Sequence, residues 1–198
     1  MTEFLLELDR NLLLKLNSWH APWLDSVMVA LTNGLNWLPL FLLVIGLMIY
    51  KFRWQSIFML VFIGIVIFLT DRISAGLIKP WIGRLRPSHE PGLEGYLHLV
   101  NGYKGGIYSF VSSHAANAFG VATFLWLILR KHIKWIWIMF IWAVVFSYTR
   151  IYLGVHYPFD ILGGVILGAF IGLLVYKLGR AMPKKISPIP AAAEIPSS

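Results

Sequence analysis

The sequence predicts an all-α integral membrane protein: a helical bundle with five transmembrane helices or, alternatively, six, and an amphipathic N-terminal helix at the membrane interface. Of the 198 residues, 58% are hydrophobic and 13% are charged, whereas soluble domains have about 45–50% and about 25%. The mean hydropathy is +0.72, and apolar runs long enough to cross a bilayer recur along the chain. This composition excludes a soluble globular domain, a disordered chain and, because cysteine is absent, a disulfide scaffold.

The first segment of the chain predicts an amphipathic helix that lies in the membrane interface. Its apolar residues at helical spacing are Phe4, Leu5, Leu8, Leu12, Leu13 and Leu16, and its charged residues at the other positions are Glu3, Glu7, Asp9, Arg10 and Lys15. This segregation is typical of interfacial helices, with a plain solvated helix as the alternative. No basic residue precedes Arg10, so we expect no cleaved signal peptide.

Four apolar segments are clear candidates for spans, at residues 54–70, 115–129, 135–148 and 161–178. A fifth, at about 35–50, is apolar enough despite Pro39, because transmembrane helices tolerate proline. Residues 23–31 are apolar but short, and they either extend the first span or lie re-entrant, which gives the six-span alternative. We expect one membrane-embedded domain over residues 1–182 and, because proline, alanine and serine dominate the end, a disordered tail over 183–198.

The charged residues sort by side of the membrane. With five spans, one side receives only basic residues apart from Glu194, and the set is Lys51, Arg53, Arg130, Lys131, Lys134, Lys177, Arg180, Lys184 and Lys185. The other side holds the remaining basic residues together with eight acids. The positive-inside rule places the first set and the C-terminus in the cytoplasm, so we expect the protein in the cytoplasmic membrane. Topology explains much of the net charge of +8, and no nucleic-acid partner is expected.

Small residues form a stripe in the last predicted span, where Gly164, Gly168 and Gly172 recur every four residues. Such a stripe permits close helix contact, and we expect packing within the molecule rather than a dimerisation face. No internal repeat is evident, which argues against a secondary transporter.

Ionisable residues near the membrane concentrate in two segments on the outer side, from residue 71 to 114 and from 149 to 160. Charges at this depth are costly and indicate function. Lys79, Arg86 and Arg150 are three cations with no matching set of acids, and their donors suit phosphate oxygens. Each of them alone could instead anchor the chain at the interface.

The remaining candidates adjoin that set of cations. Ser112 and Ser113 lead directly into a predicted helix, which His114 opens, so backbone N–H groups can face an anion at its positive end. His156 and Asp160 are four residues apart, so a helix there stacks them on one face. An aspartate on Nδ1 leaves Nε2 of the histidine as a nucleophile or base. The alternative is that His156 and Asp160 form a purely structural pair. Because all of these segments lie on the same side of the membrane, we favour a single phosphoryl-transfer site without a metal.

Three ordered motifs resemble those of the type 2 phosphatidic acid phosphatase and haloperoxidase superfamily. They are Lys-x6-Arg-Pro at residues 79–87, Ser-x-His at 112–114 and Arg-x5-His-x3-Asp at 150–160. Together they are specific, whereas any one of them would be weak. Val111, Ser113 and Thr149 depart from the usual proline, glycine and serine, and the Cβ of Ser113 is expected to tune the substrate fit.

The resemblance implies an enzyme in which His156 attacks phosphorus and forms a phosphohistidine. His114 would protonate the leaving oxygen and then activate water, while Asp160 would hold His156. The groups that would bind the phosphate oxygens are Lys79, Arg86, Arg150, Ser112 and the Ser113 backbone. No metal and no cofactor are implied. Five neighbours keep no assigned role: Asp71, Arg72, Arg84, His89 and His98.

The expected reaction is removal of a lipid phosphate or pyrophosphate at the outer face of the cytoplasmic membrane. The substrates that the family implies are undecaprenyl pyrophosphate, phosphatidylglycerol phosphate, phosphatidic acid and the phosphates of lipid A. The alternatives are a lipid-to-lipid phosphotransferase and a non-catalytic anion-binding transporter, while a haloperoxidase is disfavoured because those are usually larger and soluble. The sequence does not choose the lipid, and we expect the glycine-rich residues 90–106 to decide the head group.

Overall fold

The computed structural model describes residues 3–183. Beyond Pro183, the tail predicted to be disordered lies outside the described residues. Eight α-helices make up the described fold: α1 Glu3–Asn17, α2 Pro22–Thr32, α3 Leu38–Phe52, α4 Gln55–Asp71, α5 Lys79–Ile82, α6 Ser113–Leu129, α7 Ile138–Tyr152 and α8 Pro158–Ala181. Within the described range there is no β-strand beyond a single bridge between Leu85 and Tyr108. The all-helical membrane fold is therefore as the sequence predicts.

Three helical stretches are long and apolar enough to cross a membrane: Gly34–Phe52, Gln55–Ile82 and Pro158–Ala181. The shorter α6 and α7 are also apolar, so each of the five predicted spans corresponds to a helix. Residues 22–32 form the separate helix α2, which packs on α7 rather than extending a span. The protein is a membrane protein, and the exact number of crossings stays a prediction.

The helix that begins at Gln55 continues well past Thr70, where the sequence suggested a loop. Between α4 and α5 lies a π-helical segment, Arg72–Ile78, so that Lys79 sits on the same long helix instead of in a connection. Pro80 does not interrupt this helix: it directly follows the π-helical segment, and transmembrane helices tolerate proline where local π adjustments re-satisfy the freed backbone groups. The helix ends at Gly83, which adopts the left-handed conformation with a φ of 64°.

The N-terminal helix α1 forms as predicted, but the placement of Asp9 on its charged outer face was wrong. Asp9 is fully buried and shares an inward stripe with Leu13 and Asn17. Phe4, by contrast, is 71% exposed. Asp9 pairs with Arg84 on this inward side, where α1 packs against α7 and α8.

Helices α6 and α8 make the most extensive contact in the bundle. A Cβ added at Gly164, Gly168 or Gly172 would collide with α6, at Gly168 with the backbone of Ala116 and Gly120. The glycine stripe therefore serves packing within the molecule, as expected. It holds the start of α6 against the start of α8, where the candidate site lies.

We expect Gly168→Ala to lower the unfolding temperature, because its Cβ would lie 2.8 Å from the Gly120 nitrogen and overlap the Ala116 carbonyl. Overpacking of this kind costs about 1–3 kcal/mol. Thermal unfolding in detergent measures the change. The matched control is Gly64→Ala in α4, whose Cβ meets nothing within 4 Å. Gly64→Ala gains helix propensity of up to about 1 kcal/mol, so it should not lower the unfolding temperature. Equal unfolding temperatures for the two variants would contradict the packing argument.

Candidate active site

The candidate site lies at one end of the bundle, where α5 and α7 end and α6 and α8 begin. The backbone N–H of Ser112 donates to the Asp160 carbonyl oxygen at 3.0 Å, and this bond joins the starts of α6 and α8. The Ser113 hydroxyl lies 2.8 Å from the Ser74 hydroxyl, which joins α6 to the π-helical segment. The first contact joins the second and third motifs, and a hydrogen bond from Arg84 to Asp160 joins the first motif to the third.

His156 lies in the short turn between α7 and α8 and is 1% exposed. Its Nδ1 is 3.3 Å from Oδ2 of Asp160. The backbone N–H of Tyr157 donates to the same Oδ2 at 2.8 Å, so the carboxylate is fixed at the start of α8. The predicted pair is thus in contact, and within the described chain Nε2 of His156 makes no hydrogen bond. That nitrogen is the one left to meet a substrate.

The charges around His156 favour its neutral form. Burial lowers the pKa of His156 well below its usual value, and the positive charges of Arg86, Lys79, Arg150 and Arg84 lower it further. A neutral imidazole carries the lone pair that a nucleophile needs at neutral pH. The same cations that could bind a phosphate therefore also keep this histidine unprotonated.

The three predicted cations lie around the two histidines, and in residues 3–183 none of them pairs with a carboxylate. Arg86 donates through Nε to the Tyr108 carbonyl at 3.0 Å, while its Nη1 is buried without a partner among the described residues. Burial and the charge of Arg150 lower the pKa of Arg86. Buried charges normally require a partner. The arrangement therefore calls for an anion.

Arg150 is 3% exposed at the end of α7. Its Nη1 donates to the Thr32 hydroxyl at 2.8 Å and its Nη2 to the Tyr103 hydroxyl at 3.3 Å, while Nε is buried and has no partner in the part of the chain that the structure describes. The hydroxyl groups of Thr32 and Tyr103 thus hold the guanidinium without neutralising it. Neither residue was anticipated from the sequence, because both lie far from the motifs.

His114 lies in the first turn of α6 and stacks on Phe146, with ring centroids 5.1 Å apart. Together with Arg150, Tyr103 and Thr32 it lines a cavity of about 510 Å³. The positive charge of Arg150 acts on the His114 imidazole. The cavity therefore offers a place for a substrate group between His114 and the arginine.

The structure places the backbone N–H groups of the two serines differently. Ser112 is fully buried, its N–H is taken by the Asp160 carbonyl and its Oγ accepts from the Ala115 N–H at 3.4 Å. Its N–H is thus unavailable to a phosphate, because it holds α6 against α8. Ser113 binds Ser74 through its hydroxyl, and in the described chain no bond of its own N–H is seen, as is usual for the first turn of a helix.

Sequence reasoning also missed the roles of Arg84 and Asp9. Arg84 donates through Nη1 to Asp160 at 2.9 Å and through Nη2 to Asp9 at 2.8 Å, and it stacks on the Tyr157 ring at 3.8 Å. One signal for Arg84 was its place inside the first motif, two residues before Arg86. Asp9 had only a weak signal, its helical spacing with Leu13 and Asn17.

Other residues left without a role are placed outside the site. Asp71 and Arg72 are exposed. His98 lies 2.8 Å from Asp25, which also accepts from the Tyr152 hydroxyl at 2.6 Å. This cluster fastens α2 to the connection before α6. The side-chain hydrogen bond of His89 seen in residues 3–183 is with its neighbour Ser88, at 3.2 Å.

Comparison with known proteins decides the family. The family model described as PAP2 superfamily matches residues 54–182, which include every motif residue of the site. The chain belongs to the PAP2 superfamily. Its PAP2 relatives include the lipid A 4′-phosphatase of Bacteroides thetaiotaomicron, 37% identical over 96% of this chain and 86% of that protein.

A second PAP2 relative is the phosphatidylglycerophosphatase B of Bacillus subtilis, 34% identical over 84% of this chain and 79% of that protein. Among solved structures, the transmembrane PAP2-type phosphatidylglycerolphosphate phosphatase from Bacillus subtilis superposes with a TM-score of 0.67 at 28% identity. The match covers 92% of this chain and 90% of that one. This PAP2 protein is accordingly a membrane-embedded phosphatase that acts on phosphorylated lipids.

Proposed function

We propose that this protein hydrolyses a lipid phosphate at the outer face of the cytoplasmic membrane through a phosphohistidine on His156. One observation carries the proposal: a neutral, buried imidazole is surrounded by Lys79, Arg86 and Arg150, whose charges lack carboxylate partners in residues 3–183. Buried guanidinium donors without partners are suited to phosphate oxygens in a bidentate geometry. The neutral imidazole beside them is suited to attack the same phosphate.

The proposed reaction has two steps that balance. In the first, Nε2 of His156 bonds to phosphorus, the bond from phosphorus to the lipid oxygen breaks, and His114 gives that oxygen a proton. In the second, His114 takes a proton from water, the water oxygen bonds to phosphorus, and the bond to His156 breaks. Asp160 holds the imidazole throughout, while the cations stabilise charge on the phosphoryl oxygens.

The outer face is supported by the charges at the other end of the bundle. Lys51 donates to the His132 carbonyl oxygen at 2.8 Å, so the turn after α3 and the connection after α6 lie together there. All charged residues of those connections are basic. Basic connections face the cytoplasm in membrane proteins, which leaves the site on the opposite side.

The substrate we favour is a phosphate of lipid A, because the lipid A 4′-phosphatase of Bacteroides thetaiotaomicron is 37% identical over 96% of this chain. Phosphatidylglycerol phosphate is the second candidate, supported by the superposed structure and the relative in Bacillus subtilis. Phosphate release by the purified protein in detergent, compared over the four candidate lipids, tests the choice. We expect the largest kcat/KM with lipid A. A larger value with phosphatidylglycerol phosphate would assign the second candidate, and phosphate recovered on an acceptor lipid instead of in water would indicate a phosphotransferase.

We expect activity to survive EDTA and to be blocked by vanadate. The groups around the proposed phosphate position are cations and imidazoles, which stabilise developing negative charge directly. Vanadate adopts the five-coordinate geometry of phosphoryl transfer, and transition-state analogues bind much more tightly than substrates. Phosphate release with and without each reagent measures both effects. Loss of activity in EDTA that added Mg²⁺ restores would refute the proposed role of the cations.

A further inference from the structure

We infer that Asp9 of the N-terminal helix is a positioning residue, which acts through Arg84 on the carboxylate of Asp160 that holds His156. The inference rests on the proposed function and extends it to a helix that precedes the matched family region, residues 54–182. Asp9 would not touch the substrate. It would set the charge and the orientation of the group behind the nucleophile.

The geometry is an unbroken series of contacts from α1 to the nucleophile. Oδ2 of Asp9 accepts from Arg84 at 2.8 Å, and Arg84 donates to Oδ1 of Asp160 at 2.9 Å. Oδ2 of Asp160 then lies 3.3 Å from Nδ1 of His156. Asp9 and Asp160 are fully buried, and the Arg84 side chain is 14% exposed. Such buried, charge-assisted contacts are strongly oriented.

The charges explain why a second carboxylate is needed. Arg84 beside Asp160 alone would neutralise the carboxylate that is meant to support His156. With Asp9 on its other side, Arg84 is shared between two carboxylates and the three groups together carry one negative charge. That charge faces an imidazole otherwise surrounded by cations. When His156 bonds to phosphorus and becomes positively charged, the residual negative charge stabilises it.

Asp9 also contacts the element that carries Asp160. Its Oδ1 accepts from the backbone N–H of Phe159 at 2.8 Å, in the first turn of α8. The position of Asp160 on that turn is therefore fixed from two directions, through the backbone and through Arg84. Displacement of Asp9 would disturb both.

Anchoring α1 does not account for this arrangement. Asn17, two turns along the same face, already fastens the helix by donating to the Tyr152 carbonyl at 2.7 Å and to the His98 carbonyl at 3.1 Å. Its side-chain oxygen also accepts from the His98 N–H at 2.8 Å. Burial raises the pKa of Asp9, while the Phe159 N–H and Arg84 act in the opposite direction. A buried carboxylate is a costly anchor when an amide serves the same purpose.

Asp9→Asn tests the inference, because asparagine keeps the size and an acceptor for Phe159 but removes the charge. We expect kcat to fall about tenfold, the low end for loss of an outer partner of a reacting group, with KM changed less than twofold. The charged or titratable groups that face His156 are Lys79, Arg84, Arg86, His114, Arg150 and Asp160. Without Asp9, the positive charge of Arg84 is less compensated, so the pKa of His156 falls. The acidic limb of the pH–rate profile should therefore move to lower pH.

The matched control is Asn17→Ala, which loosens α1 without touching Arg84. We expect it to lower the unfolding temperature at least as much as Asp9→Asn, with an unchanged kcat and pH profile. Asp9→Glu, which restores the charge, should recover part of kcat. If Asp9→Asn and Asn17→Ala alter stability but share the wild-type kcat and pH profile, Asp9 is merely structural.

A labelling experiment distinguishes a wrong role for Asp9 from a wrong phosphohistidine mechanism. Brief incubation with ³²P-labelled substrate and alkaline quenching preserves a phosphohistidine for detection. A labelled wild-type protein with unaltered Asp9→Asn kinetics refutes only the role of Asp9. An active but unlabelled wild-type protein refutes the phosphohistidine mechanism itself.

Discussion

His156→Ala is expected to abolish phosphate release while the protein still folds and inserts. The imidazole is the proposed nucleophile, and its loss removes the group that bonds to phosphorus rather than one that assists. Removal of a nucleophile lowers kcat by about 10⁴-fold or more in enzymes where the catalytic residues act as a unit. Phosphate release in detergent measures the loss, and the ³²P label on the protein should vanish with it.

The control for this variant is His132→Ala. His132 lies at the opposite end of the bundle, beside Lys51, and stacks edge-on with Phe52. Its replacement removes an imidazole of the same size far from the site and should leave kcat unchanged. If His156→Ala keeps wild-type turnover, another group attacks phosphorus and the phosphohistidine mechanism is wrong.

Asp160→Asn is expected to lower kcat by about 10³- to 10⁴-fold, as loss of an orienting carboxylate does in histidine-dependent catalysis. The carboxylate uses both oxygens: Oδ1 accepts from Arg84, and Oδ2 accepts from the Tyr157 N–H beside Nδ1 of His156. An asparagine has a single oxygen, so one of these donors must face an NH₂ group. The amide could also donate to Nδ1, which would place the proton on Nε2 and block attack.

Steady-state kinetics and thermal unfolding of the same preparation distinguish this effect from misfolding. The matched control is Asp71→Asn, which removes an exposed carboxylate in the last turn of α4. We expect wild-type kcat for that control. A fully active Asp160→Asn enzyme would show that orientation of His156 does not depend on the carboxylate.

Much of the site could be predicted because its residues are coded by local spacing. His156 and Asp160 meet because His156 lies just before α8 and Asp160 lies in the first turn of that helix. The cations could be recognised as a set, because Lys79, Arg86 and Arg150 come from segments on one side of the membrane and have no matching set of acids. The membrane fold followed from composition alone.

The parts that could not be predicted depend on contacts between distant segments. Asp9 and Arg84 are 75 residues apart, and helical spacing with Leu13 and Asn17 was only a weak signal that set Asp9 apart from the other charges of α1. The hydrogen bond of the Ser112 N–H could not be predicted either. Its acceptor is a backbone carbonyl of α8, and no side-chain pattern reveals such a contact. Polar residues from Asp71 onward suggested a loop, although the backbone there stays helical as far as Ile82.

The helix Gln55–Ile82 determines at what depth the enzyme works. Its 28 residues span roughly 42 Å at about 1.5 Å per residue, whereas the hydrocarbon core is about 30 Å thick. We therefore expect Lys79, near its end, to lie at the level of the lipid head groups, where the phosphates of membrane lipids already are. A substrate can be dephosphorylated without leaving its leaflet. The concentration that governs turnover is thus the mole fraction of the lipid in the membrane surface, and encounter is diffusion in two dimensions.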